Sequence, residues 1–272
     1  MSRPGEFVDE AYRRARRALL DALDALGLQR SAAILVGAQA IYLHTGESLT
    51  AVAPFTDDGD LVLDPVGLLP EPRLEATMRA RGFELDAVEV GRWRNPTGVI
   101  VDLLVPESLG GPGRRGARLG PHGKAAARKV RGLEAALVDC ETMSINSLSP
   151  EDSRAFSIRV AGPAALLVAK AHKIWERADT PRLSDKDAYD AFRILQVIPT
   201  SDLTVGVRKL IAGGAVETVT SEGLAHLEKL FLPRGAVGSE MLRRYVGVLE
   251  DPEVLIESFK DLLRDLLDAL RD

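Results

Sequence analysis

Cysteine is nearly absent. Cys140 stands alone among 272 residues, which excludes an internal disulfide and any zinc site built from several thiolates. Histidine is scarce as well, and His44, His122, His172 and His226 show none of the short spacings by which imidazoles share a metal. No apolar run is long enough for a transmembrane helix. The opening stretch "MSRPGEFVDEAYRRARRALL" mixes acids and bases where a signal peptide needs an apolar core, so a cytoplasmic location without a membrane partner is expected. The formal net charge of −5 argues against a uniformly basic surface for nucleic acid.

The residues that are present suit a sizeable core, being 46% hydrophobic and 28% charged. Apolar spacing predicts an amphipathic helix over 6–27, closed by Gly27, and a short buried strand over 32–37 that runs into a brief helix stopped by Gly46. A strand near 59–64, a helix near 72–81 and strand-like pieces at 83–90 and 98–105 follow. Further strand candidates lie at 134–138, 143–148 and 156–160. After "AGP" (161–163) the pattern turns helical, with Ser184 placed as an N-cap. In the last helix Leu255, Phe259, Leu262, Leu266 and Leu270 share a face behind the capping position of Asp251. This alternation predicts an α/β (α+β) fold, with a mixed sheet flanked by helices over 1–160 and a helical domain over 161–272.

"TDDGDLVLDP" (56–65) crowds three aspartates into four positions before a buried strand. In an extended strand Asp58 and Asp60 share a face, where two carboxylates repel unless a cation lies between them. In "GVIVDLLVP" (98–106) Asp102 is the one charged residue of an apolar strand, a placement that costs several kcal/mol unless the group is paired, protonated or metal-bound. Three carboxylates on neighbouring strands would suit Mg²⁺. Upstream, Gly37 and Ala38 form a strand-to-helix turn whose backbone N–H groups can face phosphate. "GPGRRG" (111–116) matches a dinucleotide-binding pattern literally, but no amphipathic helix begins there.

"LVGAQAIYLHTG" followed by "TDDGDLVLDP" resembles the signature of the polymerase β-like nucleotidyltransferase superfamily, a Gly turn before an Asp-x-Asp pair with a third acid on a later strand. "LLVAKAHKIWERADTPRLSDKDAYDAFRIL" is similar to the later motifs of the AbiEii/MenT-type toxin nucleotidyltransferases: Lys170, Arg177 seven residues on, then Lys186, Asp187 and Asp190. The resemblance spans roughly residues 32–195 and implies a Mg²⁺- (or Mn²⁺-) dependent transfer of NMP from an NTP. It casts Asp58 and Asp60 as ligands of two metal ions, with Asp102 joining the ion that activates the acceptor hydroxyl, and the Gly37–Ala38 turn, Lys170 and Arg177 as phosphate contacts. Asp187 would orient a base, a ribose or Lys170. The acceptor implied is the 3′ end of tRNA, and a cognate antitoxin is implied as partner.

Seven Lys/Arg residues and no acid lie between Gly111 and Gly132, which makes Arg114, Arg115, Arg128, Lys129 and Arg131 candidates for RNA contact. Three departures from the family pattern stand out. Ala38 lacks the hydroxyl common at that turn, Gly59 inside Asp-x-Asp is expected to loosen the strand, and Lys173 adds a positive charge. Two other readings stay open: transfer to a small molecule of the aminoglycoside type, and a non-catalytic nucleotide- or RNA-binding module.

Overall fold

The sheet is organised around β1 (Ala33–Val36), four buried apolar residues. Gly37, at φ +70°, turns the chain from this strand directly into α2 (Gly37–Thr45). The computed structural model describes residues 10–46, 55–247 and 251–271. Within these, two compact units separate. The first draws on Met1–Ala40, Ala53–Leu133 and Cys140–Ala161; the second on Ile41–Val52, Glu134–Asp139 and Gly162–Asp272.

The first unit contains an eight-stranded mixed sheet. Besides β1 its strands are β2 (Asp58–Leu63), β3 (Glu84–Leu85), β4 (Arg92–Arg94), β5 (Ile100–Pro106), β6 (Arg128–Val130), β7 (Cys140–Asn146) and β8 (Ala155–Ala161). They run in the order β3-β4-β5-β2-β1-β8-β7, with β6 also paired to β5. β2 lies antiparallel to β1 and parallel to β5, so the strands that carry Asp60 and Asp102 are direct neighbours. β4 pairs with residues 100–102 of β5 and β6 with residues 104–106, so each covers its own part of that strand.

Helix α1 (Glu10–Leu26) packs on this sheet through Ala15, Ala18, Leu19, Ala22, Leu23 and Leu26, all fully buried. Burying each leucine contributes about 1.5–3 kcal/mol. A Cβ added at Gly59 would lie 3.4 Å from Leu19 Cβ, so α1 crosses β2 at the glycine, on the face opposite Asp58 and Asp60. Gly59 therefore admits the helix closely, where the sequence suggested only a loosened strand. Helix α3 (Leu74–Ala80) also packs against α1.

The second unit is helical. It holds α4 (Ala135–Val138), α5 (Pro163–Arg177), α6 (Asp185–Val197), α7 (Thr200–Ala212), α8 (Glu217–Phe231), α9 (Val237–Val246) and α10 (Pro252–Arg271). Phe231 and Phe259 stack with centroids 4.0 Å apart, and Phe192 joins them at 6.2 Å from Phe259. Helices α7 to α10 are thus the bed on which α5 and α6 lie. Asp251 accepts the Glu253 amide at 3.0 Å, capping α10 as expected. Ser184 occupies the N-cap position of α6 without a side-chain capping bond.

Three expectations change. Residues 135–138 form a helical turn rather than a strand; Ala135 and Ala136 are buried, and alanine favours helix wherever a strand has no partner edge. The single strand expected over 83–90 is replaced by the short pair β3 and β4, joined through Gly91 at φ +77°. In α10, Leu263 is buried in place of Leu262.

Candidate active site

Strand register builds one row across the sheet. Val36 of β1 is aligned with Asp60 of β2, Asp60 with Asp102 of β5, and Asp102 with Arg92 of β4. Aligned residues point to the same face at about 4.8 Å per strand, and Asp58, two residues before Asp60, shares that face. Trp93 is buried on the opposite face, its indole N–H donating to the Ala126 carbonyl at 2.9 Å, which leaves Arg92 on the carboxylate side.

The turn after β1 is fitted to Asp60. A Cβ at Gly37 would land on the Asp60 carboxylate, and the left-handed φ already favours glycine. Ala38 follows in the first turn of α2 and is buried. Gln39, fully buried, donates to the Asp58 carbonyl at 2.9 Å and accepts from Arg16 Nε at 2.8 Å. Arg16 is held in turn by the Asn146 carbonyl and the Tyr12 hydroxyl, each at 2.9 Å. This chain from α1 through α2 fixes the backbone at Asp58. Thr56 donates to Asp58 Oδ1 at 2.8 Å.

Asp102 is 2% exposed and clamped between two arginines. Arg92 forks onto it, Nε to Oδ1 at 3.1 Å and Nη2 to Oδ2 at 3.3 Å, while Arg128 Nη2 donates to Oδ2 at 2.6 Å. Burial alone would raise this carboxyl's pKa, but the hydrogen bonds from Arg92 and the charges of both arginines outweigh it and hold the pKa below the ordinary range. Gly91 makes the clamp possible: a Cβ there would lie 2.5 Å from the Arg128 amide nitrogen and 2.6 Å from the Leu103 carbonyl oxygen. The three carboxylates expected together do share one face, Asp58 and Asp60 beside a third, Asp102, that is held by two arginines. Sequence reasoning overlooked Arg92, Gln39 and Arg16. The alternation of charge around Trp93 in "RWR" was the available signal for Arg92.

A second cluster lies within the helical unit. Lys170 of α5, 5% exposed, donates to Asp187 at 2.6 Å and to Asp190 at 2.7 Å, both on α6. Lys173 reaches Asp187 at 2.9 Å and Lys186 reaches Asp190 at 2.7 Å. Burial disfavours every charge here, yet Asp187 and Asp190 raise the Lys170 pKa above its ordinary value, while the lysines lower those of both carboxyls. Arg177 closes the last turn of α5 and is half-buried.

The basic segment divides in two. Arg128 is committed to Asp102, Lys129 donates to the carbonyls of Gly111 and Gly113, and Arg131 lies 3.4 Å from Glu107. Arg114 and Arg115 are exposed, as are Arg118 and Lys124, with Arg115 3.6 Å from Glu89. The "GPGRRG" stretch runs through turns and bends. Two of the histidines serve the framework. His122 accepts the Leu74 amide on Nδ1, and His172 lies 2.8 Å from the Val219 carbonyl.

Asp58 and Asp60 offer hard oxygens of the kind Mg²⁺ takes one or two of, completing its shell with water and phosphate. That pair could hold such an ion, whereas both oxygens of Asp102 accept from guanidinium groups. Among the described residues, no group of three or more His, Cys, Asp or Glu is gathered for a metal. No helix among the described residues is long and apolar enough to cross a membrane.

The chain is similar over 97% of its length to the crystal structure of JHP933 from Helicobacter pylori, covering 95% of that chain at 11% identity and a TM-score of 0.44. It is similar over 79% of its length to an antigenic nucleotidyltransferase-like protein from Paracoccidioides brasiliensis, covering 93% of that chain at 16% identity and a TM-score of 0.38. None of the curated proteins matches. A family model described as Nucleotidyltransferase matches residues 14–204, which take in the Gly37 turn, the aspartates of β2 and β5 and the Lys170 cluster. The chain belongs to this nucleotidyltransferase family and is a nucleotidyltransferase enzyme.

Proposed function

We propose that the enzyme transfers NMP from an NTP to an acceptor hydroxyl, with Asp58 and Asp60 holding Mg²⁺ or Mn²⁺ on the outer face of β2. The observation that carries this reading is the fit of Gly37 to Asp60, which puts a helix-opening turn against an acidic pair. Backbone N–H groups at Gly37 and Ala38 would face phosphate beside the carboxylates. The ion, when bound, supplies charge neutralisation for the triphosphate and lowers the pKa of the acceptor hydroxyl. The acceptor oxygen bonds to the α-phosphorus, the bond from that phosphorus to the β-phosphate oxygen breaks, pyrophosphate leaves, and the hydroxyl proton passes to solvent.

The Lys170 network has three ammonium groups against two carboxylates, so it carries net positive charge suited to attracting phosphate. Asp187 and Asp190 act there by keeping Lys170 protonated and fixed. Arg177 extends the positive charge along α5.

The order Lys170, Arg177, Lys186, Asp187, Asp190 supports the AbiEii/MenT-type toxin assignment, with tRNA 3′ ends as acceptor and an antitoxin as partner. RNA contact then falls on the exposed Arg114, Arg115, Arg118 and Lys124. Incubating the protein with each labelled NTP, Mg²⁺ and total tRNA tests this, with Asp58→Ala and no-RNA controls. Label on the tRNA 3′ end, absent with Asp58→Ala, is expected. Label on an added aminoglycoside instead would move the enzyme to small-molecule transfer.

A further inference from the structure

One face of the sheet brings together three carboxylates and two guanidiniums: Asp58, Asp60 and Asp102 with Arg92 and Arg128. Together they leave a single net negative charge. Two divalent cations among three bare carboxylates would give one net positive charge. One divalent cation among these five groups gives the same result. A second cation that took Asp102 as a ligand would have to displace two arginines from a buried carboxylate, and a second cation anywhere on this face would leave it far more positive than one does.

Arginine suits the task of a fixed cation. Its guanidinium is charged at any working pH and its planar fork matches both carboxylate and phosphate oxygens. Asp102 holds Arg92 by two of its nitrogens and Arg128 by a third bond at 2.6 Å, and the side chain of Arg92 remains 28% exposed. Gly91 lets the ends of β4 and β6 approach closely enough for both to reach one carboxylate.

We propose that this enzyme takes one divalent cation, at Asp58 and Asp60, and that Arg92 and Arg128, fixed by Asp102, supply the charge a second cation would otherwise bring. Asp102 is then a positioning residue for two arginines. The inference rests on the nucleotidyl-transfer reading given above.

The test counts Mn²⁺ bound to the full chain, with Mn²⁺ alone as probe, from the loss of the free-ion paramagnetic resonance signal during titration. The expected counts are one per wild-type chain, none with Asp60→Asn and one with Asp102→Asn. The double variant Arg92→Met/Arg128→Met, which releases Asp102, is expected to bind two. Two ions per wild-type chain would overturn the inference while leaving the nucleotidyl-transfer reading intact, as would a loss of the one ion with Asp102→Asn. A double variant that stays at one would overturn the role given to the arginines. No ion on the wild type would overturn both the inference and the metal assignment beneath it. Circular dichroism establishes which variants fold, and if the double variant does not, the wild-type and Asp102→Asn counts decide.

Discussion

Gly37 and Asp60 are fitted to each other: a β-carbon on the glycine would occupy the space of the carboxylate, and the glycine backbone lies in the left-handed region at φ +70°. Gly37→Ala must therefore strain the backbone, at about 1–3 kcal/mol, and also push Asp60 aside. We expect transfer to fall about 100-fold, the scale of a displacement near 1 Å at a reacting centre, while the circular dichroism spectrum keeps its shape. Wild-type turnover by Gly37→Ala would show that the fit is not needed for activity.

Asp60→Asn separates catalysis from stability. Asp58 and Asp60 are like charges on one strand face, so removing one relieves repulsion. Activity should be lost while the fold is kept, read by label transfer and by thermal unfolding in the absence of divalent ions. A large drop in midpoint would make Asp60 a framework residue.

Asp102→Asn should have the opposite stability effect. The change leaves two guanidiniums facing a neutral amide, and breaking a buried ion pair costs about 3–5 kcal/mol. The sign with pH follows from the lowered carboxyl pKa. Its contribution is complete above the ordinary Asp value of about 3.9 and is lost as pH falls through the lowered value. Urea unfolding at neutral pH and at about pH 3 should thus show a smaller gap between wild type and variant in acid. An equal gap at both would contradict the clamp.

The Lys170 network predicts a broad plateau. Lys170 has a raised pKa, so its contribution is complete below about 10.4 and is lost only as pH climbs through the raised value. Asp187 and Asp190 are lowered, so theirs is complete above about 3.9 and is lost in acid. Replacing Lys170 with Met should cost about 3–5 kcal/mol anywhere between about pH 5 and 9, with little slope. A steep slope near neutrality would mean that the network titrates there and is wrongly described.

The strands that carry the site were legible where a continuous apolar run forced them: β1, β2 and β5 lie within a residue or two of the expected ranges. Residues 135–138 were not, because a short alanine-rich piece fits either period until its neighbours are known. Asp102 was legible as an anomaly, a charge in an apolar strand, but its partners were not. Arg92 and Arg128 lie 10 and 26 residues away, and only strand register brings them to one carboxylate. The pairing of Lys170 with Asp187 and Asp190 could be read as two shared faces, not as one cluster, since it depends on how α5 meets α6. The purpose of residues beyond 197 became clear only from packing, as the bed for those two helices.

The most direct test uses NTPs labelled at the α- or the γ-phosphate, with Mg²⁺, total tRNA and Asp60→Asn as control. Nucleotidyl transfer predicts that α-label passes to the acceptor, that γ-label leaves as pyrophosphate, and that both are abolished in the variant. Transfer of γ-label to the acceptor, or α-label transfer that survives Asp60→Asn, would contradict the account.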